Sequence, residues 1–135
     1  MAETPRILLV DDAHELVQLM RLRLEAAGYA VVPVYDGQQA LDHVRQAGPR
    51  PDLIILDLML PKLNGYEVCT MLKQDTRYQQ IPIILFTAKA QAKDEQLGLE
   101  CGANAYVRKP FRADELLEKI HTLLVASHRA GEMSP

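Results

Sequence analysis

Five short apolar runs recur along the chain: Ile7–Val10, Ala30–Tyr35, Leu53–Leu56, Ile81–Phe86 and Ala105–Val107. Most are continuous rather than alternating, the pattern of strands covered on both faces in a parallel sheet. Between them lie segments with helical spacing. Val17, Met20, Leu24 and Ala27 recur at i, i+3, i+7 and i+10, and Gly28 follows as a C-terminal cap. Towards the end, Leu116, Ile120, Leu123 and Leu124 make one apolar stripe, with Asp114, Glu115, Glu118 and Lys119 mostly off it. A weakly amphipathic helix is expected near Ala90–Cys101. Strand–helix alternation repeated five times predicts an α/β fold with right-handed crossovers. The expected architecture is a flavodoxin-like (βα)5 doubly wound sandwich. Its five-stranded parallel sheet has the order 2-1-3-4-5, with helices on both faces. At 135 residues the chain holds one such domain, taken as residues 5–126. Residues 127–135, SHRAGEMSP, are polar with Gly and Pro and are expected to be a frayed tail or the start of a linker.

Charge narrows the function. The formal net charge is −3 with both signs spread along the chain, so direct nucleic-acid binding by this chain is not expected, nor is a polybasic membrane patch. No apolar run approaches the ~18 residues of a membrane span. The N-terminus, MAETPRILLVDD, has an early acid and too short an apolar stretch for a signal peptide, so a cytoplasmic location is expected. Cys69 and Cys101 lack metal-ligand spacing and read as small buried helical residues in a reducing compartment. His14, His43, His121 and His128 are scattered, reading as solvent-facing residues rather than a metal set.

The stretch Leu53–Pro61, LIILDLMLP, sets one carboxylate among apolar residues. An isolated buried charge is expensive unless it is paired or bound to a metal. Topology supplies its place. In this fold strands 1 and 3 are neighbours, and ligands bind beyond their carboxyl ends at the switch point. Strand 1 runs into Asp11-Asp12, strand 3 into Asp57, strand 4 into Thr87 and strand 5 into Lys109-Pro110. Three acids, a hydroxyl and an amine thus meet at one edge. Two like charges at ~4 Å and an effective dielectric of ~20 repel by about 4 kcal/mol. Such a cluster persists with raised pKa values or with a cation in it. Oxygen-only ligands suit hydrated Mg²⁺ (or Mn²⁺) better than zinc. A metal, an amine and a hydroxyl around one carboxylate make a cradle for a phosphoryl group. Singly, each residue has a plainer role: Asp57 in a turn, Asp11-Asp12 or Thr87 as a helix cap, Lys109 as a solvated loop lysine. Their coincidence at one edge is what points to chemistry.

The segments ILLVDD, LIILDLMLPKLNGYE, IILFTA and AYVRKPF, at their joint spacing from about Arg6 to Leu124, resemble the receiver domains of two-component response regulators. The resemblance implies that residues 5–126 are a receiver domain and that Asp57 is the phosphoacceptor. A sensor histidine kinase or phosphotransfer protein would be the donor. Asp12, Asp57 and the backbone carbonyl of Met59 would ligate Mg²⁺ directly, and Asp11 through a water. Lys109 would bind the phosphoryl oxygens, Thr87 would swing its hydroxyl onto the phosphoryl group, and Tyr106 would rotate inward behind it. The Lys109–Pro110 bond would be cis. Met59 and Lys89 would tune phosphoryl lifetime, giving slow self-dephosphorylation. Phosphorylation would shift the population of the face built from the fourth helix, strand 5 and the last helix, and so control an unknown output domain or protein. Such a domain is not an enzyme beyond catalysing its own phosphorylation and dephosphorylation. Pro61, Asn64 and Gly65 fit the turn after strand 3, where Asn-Gly tolerates positive φ.

The chain departs from one subgroup, the winged-helix transcription factors, whose dimer uses acidic residues just before strand 5. Those positions here are Asn104-Ala105, so a monomer or a weak phosphorylation-dependent dimer is expected. Two other classes share part of this pattern. A pseudo-receiver would bind partners without phosphorylation, but no acid, Thr or Lys is missing. A haloacid dehalogenase-type phosphatase would need a second Asp two residues after Asp57, where Met59 stands, and a cap domain.

Overall fold

The computed structural model describes residues 4–46, 48–88 and 100–133, with side chains through residue 127. The elements are β1 (Arg6–Val10), α1 (His14–Ala26), β2 (Ala30–Val34), α2 (Gly37–Arg45), β3 (Leu53–Asp57), α3 (Gly65–Lys73), β4 (Ile83–Thr87), β5 (Ala105–Arg108) and α4 (Ala113–Met133). The helix expected near Ala90–Cys101 lies almost wholly outside the described residues. Of its two described positions, Glu100 is helical and Cys101 stands in a turn.

All strand pairs are parallel and the sheet order is β2-β1-β3-β4-β5, as expected. The continuous apolar runs have the expected cause, since each strand sends alternate side chains into two separate cores. Ile7, Leu9, Leu53, Ile55, Ile84, Phe86 and Val107 face one layer, with Val17, Met20 and Leu24 of α1 and Leu116 and Ile120 of α4. Leu8, Val10, Ile54, Leu56, Ile83 and Leu85 face the other, with Ala40, Leu41 and Val44 of α2 and Val68, Cys69 and Leu72 of α3. Pro33 sits in β2 at the sheet edge, where a missing N–H costs no ladder bond.

Local chemistry sets the boundaries. The amides of Gly28 and Tyr29 donate to the carbonyls of Glu25 and Leu24, and Gly28 takes φ 100°, the left-handed C-terminal stop of α1. β4 begins at Ile83 rather than Ile81, because the Ile81 amide is spent on the Tyr78 carbonyl and Pro82 has no N–H.

Two expectations change here. Asn64 and Gly65 do not form a positive-φ turn. Asn64 (φ −75°) caps α3 by accepting from the Glu67 amide, and the positive φ falls on Lys62 instead. Residues 127–135, expected as a frayed tail or the start of a linker, are helical as far as Met133 and continue α4. Arg129, Ala130, Glu132 and Met133 are good helix formers, which lets the helix run on past Ser127.

Candidate functional site

β1 and β3 are neighbours in register, Val10 opposite Leu56, so the residues that follow them emerge side by side. Asp11 and Asp57 are held in the same manner. The Ala13 amide donates to Asp11 Oδ1 at 2.9 Å, and the Met59 amide donates to Asp57 Oδ1 at 3.2 Å. Each acid is thereby fixed by the amide two residues on, leaving its Oδ2 turned to a common partner. That partner is Lys109, whose Nζ lies 2.9 Å from Asp11 Oδ2 and 3.3 Å from Asp57 Oδ2. Lys109 is aimed by the loop after β5, where its own amide donates to the Thr87 carbonyl at 2.8 Å. The Lys109–Pro110 bond is cis, as the resemblance implied.

Both inner acids are buried, Asp57 3% exposed and Asp11 1%. Burial pushes the Asp57 carboxyl up, and the neighbouring Asp11 charge adds to it; Lys109 and the Met59 amide pull the other way, and the balance stands at about 6. Burial alone would lower the Lys109 pKa, but its pairing with Asp11 and Asp57 outweighs this and holds the ammonium raised. Asp12 is exposed, at the mouth of the site.

The donor set suits a hard cation. Carboxylate oxygens of Asp11, Asp12 and Asp57 lie within 4.8 Å of one another, with no nitrogen or sulfur ligand among them. Asp11 Oδ2 is buried with the Lys109 ammonium, 2.9 Å away, as its charge partner and no backbone amide donating to it. One ammonium among three clustered carboxylates leaves negative charge that a divalent ion would neutralise.

Thr87 closes β4, is fully buried, and stands opposite Arg108 in the ladder to β5. Tyr106, opposite Leu85, is half-buried and packs against the α2–α3 core. Met59 is 58% exposed beside the acids. Lys89 lies outside the described residues. Asn104, at the position where the charge-paired dimer needs an acid, is occupied within the sheet: its Oδ1 accepts the Ile83 amide at 3.0 Å, and its own amide donates to the Ile83 carbonyl at 2.9 Å.

Sequence reasoning missed two neighbours. His14, two residues after Asp12, is exposed as expected, but its ring stacks on Tyr35 with centroids 4.1 Å apart. Asp36 caps α2 through the Gln39 amide and pairs with Lys62 at 3.4 Å across the loop after β3. Asp36 with Gln39 three residues on was a readable capping signal. The His14–Tyr35 stack had none.

A 2-1-3-4-5 parallel sheet with paired acids after β1, a third at the end of β3 and a lysine spanning them is the CheY-like receiver class of α/β protein. The chain belongs to the response regulator receiver domain family, whose profile matches residues 7–121. It is 44% identical over 119 residues to the DNA-binding response regulator MtrA of Mycolicibacterium smegmatis, covering 88% of this chain and 50% of that protein. It is 42% identical over 129 residues to the alkaline phosphatase synthesis transcriptional regulatory protein PhoP of Bacillus subtilis, covering 96% and 52% respectively. The chain thus spans about half the length of these relatives. Among solved structures, a response regulator from Chloroflexus aurantiacus aligns with TM-score 0.86 at 32% identity, covering 91% of this chain and 99% of that one. The phosphorylated cyanobacterial phytochrome response regulator RcpA aligns with TM-score 0.77 at 30% identity, covering 87% and 89%. No described helix is long and apolar enough to cross a membrane.

Proposed function

We propose that Asp57 accepts a phosphoryl group from the phosphohistidine of a sensor histidine kinase or phosphotransfer protein. The observation that carries this reading is the convergence of Asp57, Asp11 and Lys109 at the carboxyl edge of the sheet, with Lys109 Nζ 3.3 Å from Asp57 Oδ2. A carboxylate oxygen of Asp57 attacks phosphorus in line, the phosphorus–nitrogen bond breaks, and the imidazole leaves with the electron pair. The burial of Asp57 excludes water, and its fixed Oδ1 holds the nucleophile in one orientation. Lys109 neutralises the phosphoryl oxygens as negative charge builds up on them. Asp12, Asp57 and the Met59 carbonyl would hold Mg²⁺ (or Mn²⁺), with Asp11 reaching it through a water, and the ion supplies charge neutralisation to the same oxygens.

The added charge then recruits the Thr87 hydroxyl, and Tyr106 follows it inward, favouring one arrangement of the face around β5 and α4. That face acts on an output domain or protein, and the domain catalyses no reaction beyond its own phosphorylation and dephosphorylation. A cytoplasmic, monomeric or weakly dimerising chain fits this role, with nucleic acid contacted by an attached or separate partner.

Incubation with acetyl phosphate and Mg²⁺, read by intact mass, tests the assignment. One phosphoryl adduct is expected, absent in Asp57→Asn and when metal is chelated. No adduct would favour a pseudo-receiver, and turnover of a foreign phosphate ester a phosphatase. The exposed Met59 side chain beside the acid shields the acyl phosphate from water, with Lys89 as a second tuning position. Slow self-dephosphorylation follows; a half-life of seconds in magnesium buffer would refute it.

A further inference from the structure

Away from the acid cluster, Cys69 and Lys73 stand one turn apart on α3 and share a face. The turn at Cys101–Gly102, leading into β5, packs onto that face. Gly102 takes φ 94°, a conformation that favours glycine, and a Cβ there would lie 3.1 Å from Lys73 Cγ, so the turn sits close against α3. The contact brings the two cysteines together. Cys69 Sγ donates to the Cys101 carbonyl at 3.6 Å, and each thiol shifts the ionisation of the other. Both are thiols; Cys69 is fully buried, while Cys101 is half-buried and not within a helix, contrary to the expectation for it.

We propose that Cys69 and Cys101 form a dithiol modification site, converted by low-molecular-weight disulfides into an intramolecular disulfide that ties α3 to the entry of β5. The roles follow from burial and charge. Cys101 is the reachable sulfur. The hydrogen bond from Cys69 lowers its pKa against the opposing effect of burial, and the Lys73 ammonium helps. The same hydrogen bond and burial raise the Cys69 thiol. The Cys101 thiolate attacks one sulfur of the small disulfide, whose sulfur–sulfur bond breaks and whose departing thiolate takes up the proton Cys101 gave up. In the mixed disulfide the Cys101 thiolate no longer accepts from Cys69, and Lys73 favours ionisation of the buried thiol. Cys69 then loses its proton and displaces the second small thiol. Two protein thiols become one disulfide, and one small disulfide becomes two small thiols. The crosslink closes a loop containing β4 and restrains the turn ahead of Tyr106, which shares the apolar layer of Cys69. The site does not depend on the phosphoryl chemistry of Asp57.

The experiment incubates the reduced chain with oxidised glutathione and reads intact mass and a non-reducing peptide map. The expected product has lost two hydrogens, carries a Cys69–Cys101 crosslinked peptide, melts at a higher temperature and returns to the starting mass with dithiothreitol. Cys69→Ala is expected to stall with glutathione on Cys101, and Cys101→Ala to stay unmodified. A wild-type chain that keeps a glutathione adduct, crosslinks between molecules or does not react would overturn the proposal. The wild-type readout stands whether or not the Cys69 variant folds.

Discussion

Asp57 faces a second buried carboxylate, Asp11, and both lean on one ammonium. The folded-state pKa of Asp57, about 6, lies above the ~3.9 of an unfolded aspartate. In that window the folded chain holds a proton the unfolded chain has released, so stability falls as pH rises from ~4 towards ~6 and is then level for this group. Ionised Asp57 therefore costs the metal-free protein on the order of 1–3 kcal/mol at neutral pH. Asp57→Asn, neutral and of the same shape, should be more stable than wild type by that amount at pH ~7 and near parity at pH ~4. Urea unfolding of the two proteins in chelator across this range decides it, and parallel profiles would remove the strain assigned to Asp57. Lys109→Ala should act the opposite way. Removing one partner leaves both acids buried and uncompensated, a loss of ~3–5 kcal/mol for a fully buried pair and less here, where Lys109 is 20% exposed. That loss should shrink below pH ~6, as Asp57 takes up its proton. A cost independent of pH would mean that Lys109 matters for packing alone.

The start of α3 shows how closely the nucleophile depends on its backbone support. A Cβ on Gly65 would lie 2.8 Å from Leu58 Cα and still closer to the Asp57 carbonyl oxygen, where neither atom can yield. Gly65→Ala should cost ~1–3 kcal/mol as an overpacked contact and lower the rate of phosphoryl uptake, because relief comes only by displacing Asp57 or α3. Asn64→Ala should cost ~1 kcal/mol as a lost cap while leaving that rate close to wild type. Equilibrium unfolding paired with the acetyl phosphate rate separates the two, and an equal rate in both variants would deny Gly65 its part in placing Asp57. The pair also marks a limit of sequence reasoning. Asn-Gly carries a local preference for positive φ, which sequence can read; the requirement here is a close approach between α3 and β3, which only packing creates. Strand starts fail for a related reason, since the Ile81 amide is taken by a turn. The apolar runs and the helix stripes were legible because burial on two faces leaves a periodic trace in the chain itself.

Sheet order did most to make the site readable. Once β1 and β3 are neighbours, the acids at their ends must meet, so Asp11, Asp12 and Asp57 could be brought together from position alone. Their burial, the span of Lys109 between two of them, and the meeting of Cys69 with Cys101 depend on side-chain direction across elements far apart in sequence, which leaves no local signal. If the three acids hold a divalent ion as proposed, the stability of the entire fold depends on that ion. An ion bound by the folded chain alone stabilises it by RT ln(1 + [L]/Kd), about 2.7 kcal/mol at a hundredfold excess over Kd. Metal and proton compete for Asp57, so the gain should be larger at pH ~7 than at pH ~5, below its folded pKa. Asp12 is exposed, so Asp12→Asn should leave metal-free stability within ~0.5 kcal/mol of wild type. It should nonetheless lose most of the magnesium response, because it removes a ligand charge without disturbing the buried pair. Thermal unfolding along a magnesium titration at the two pH values, reversed with chelator, measures all of this. A full magnesium response in Asp12→Asn would place the ion away from this cluster, and a response equal at both pH values would detach it from Asp57.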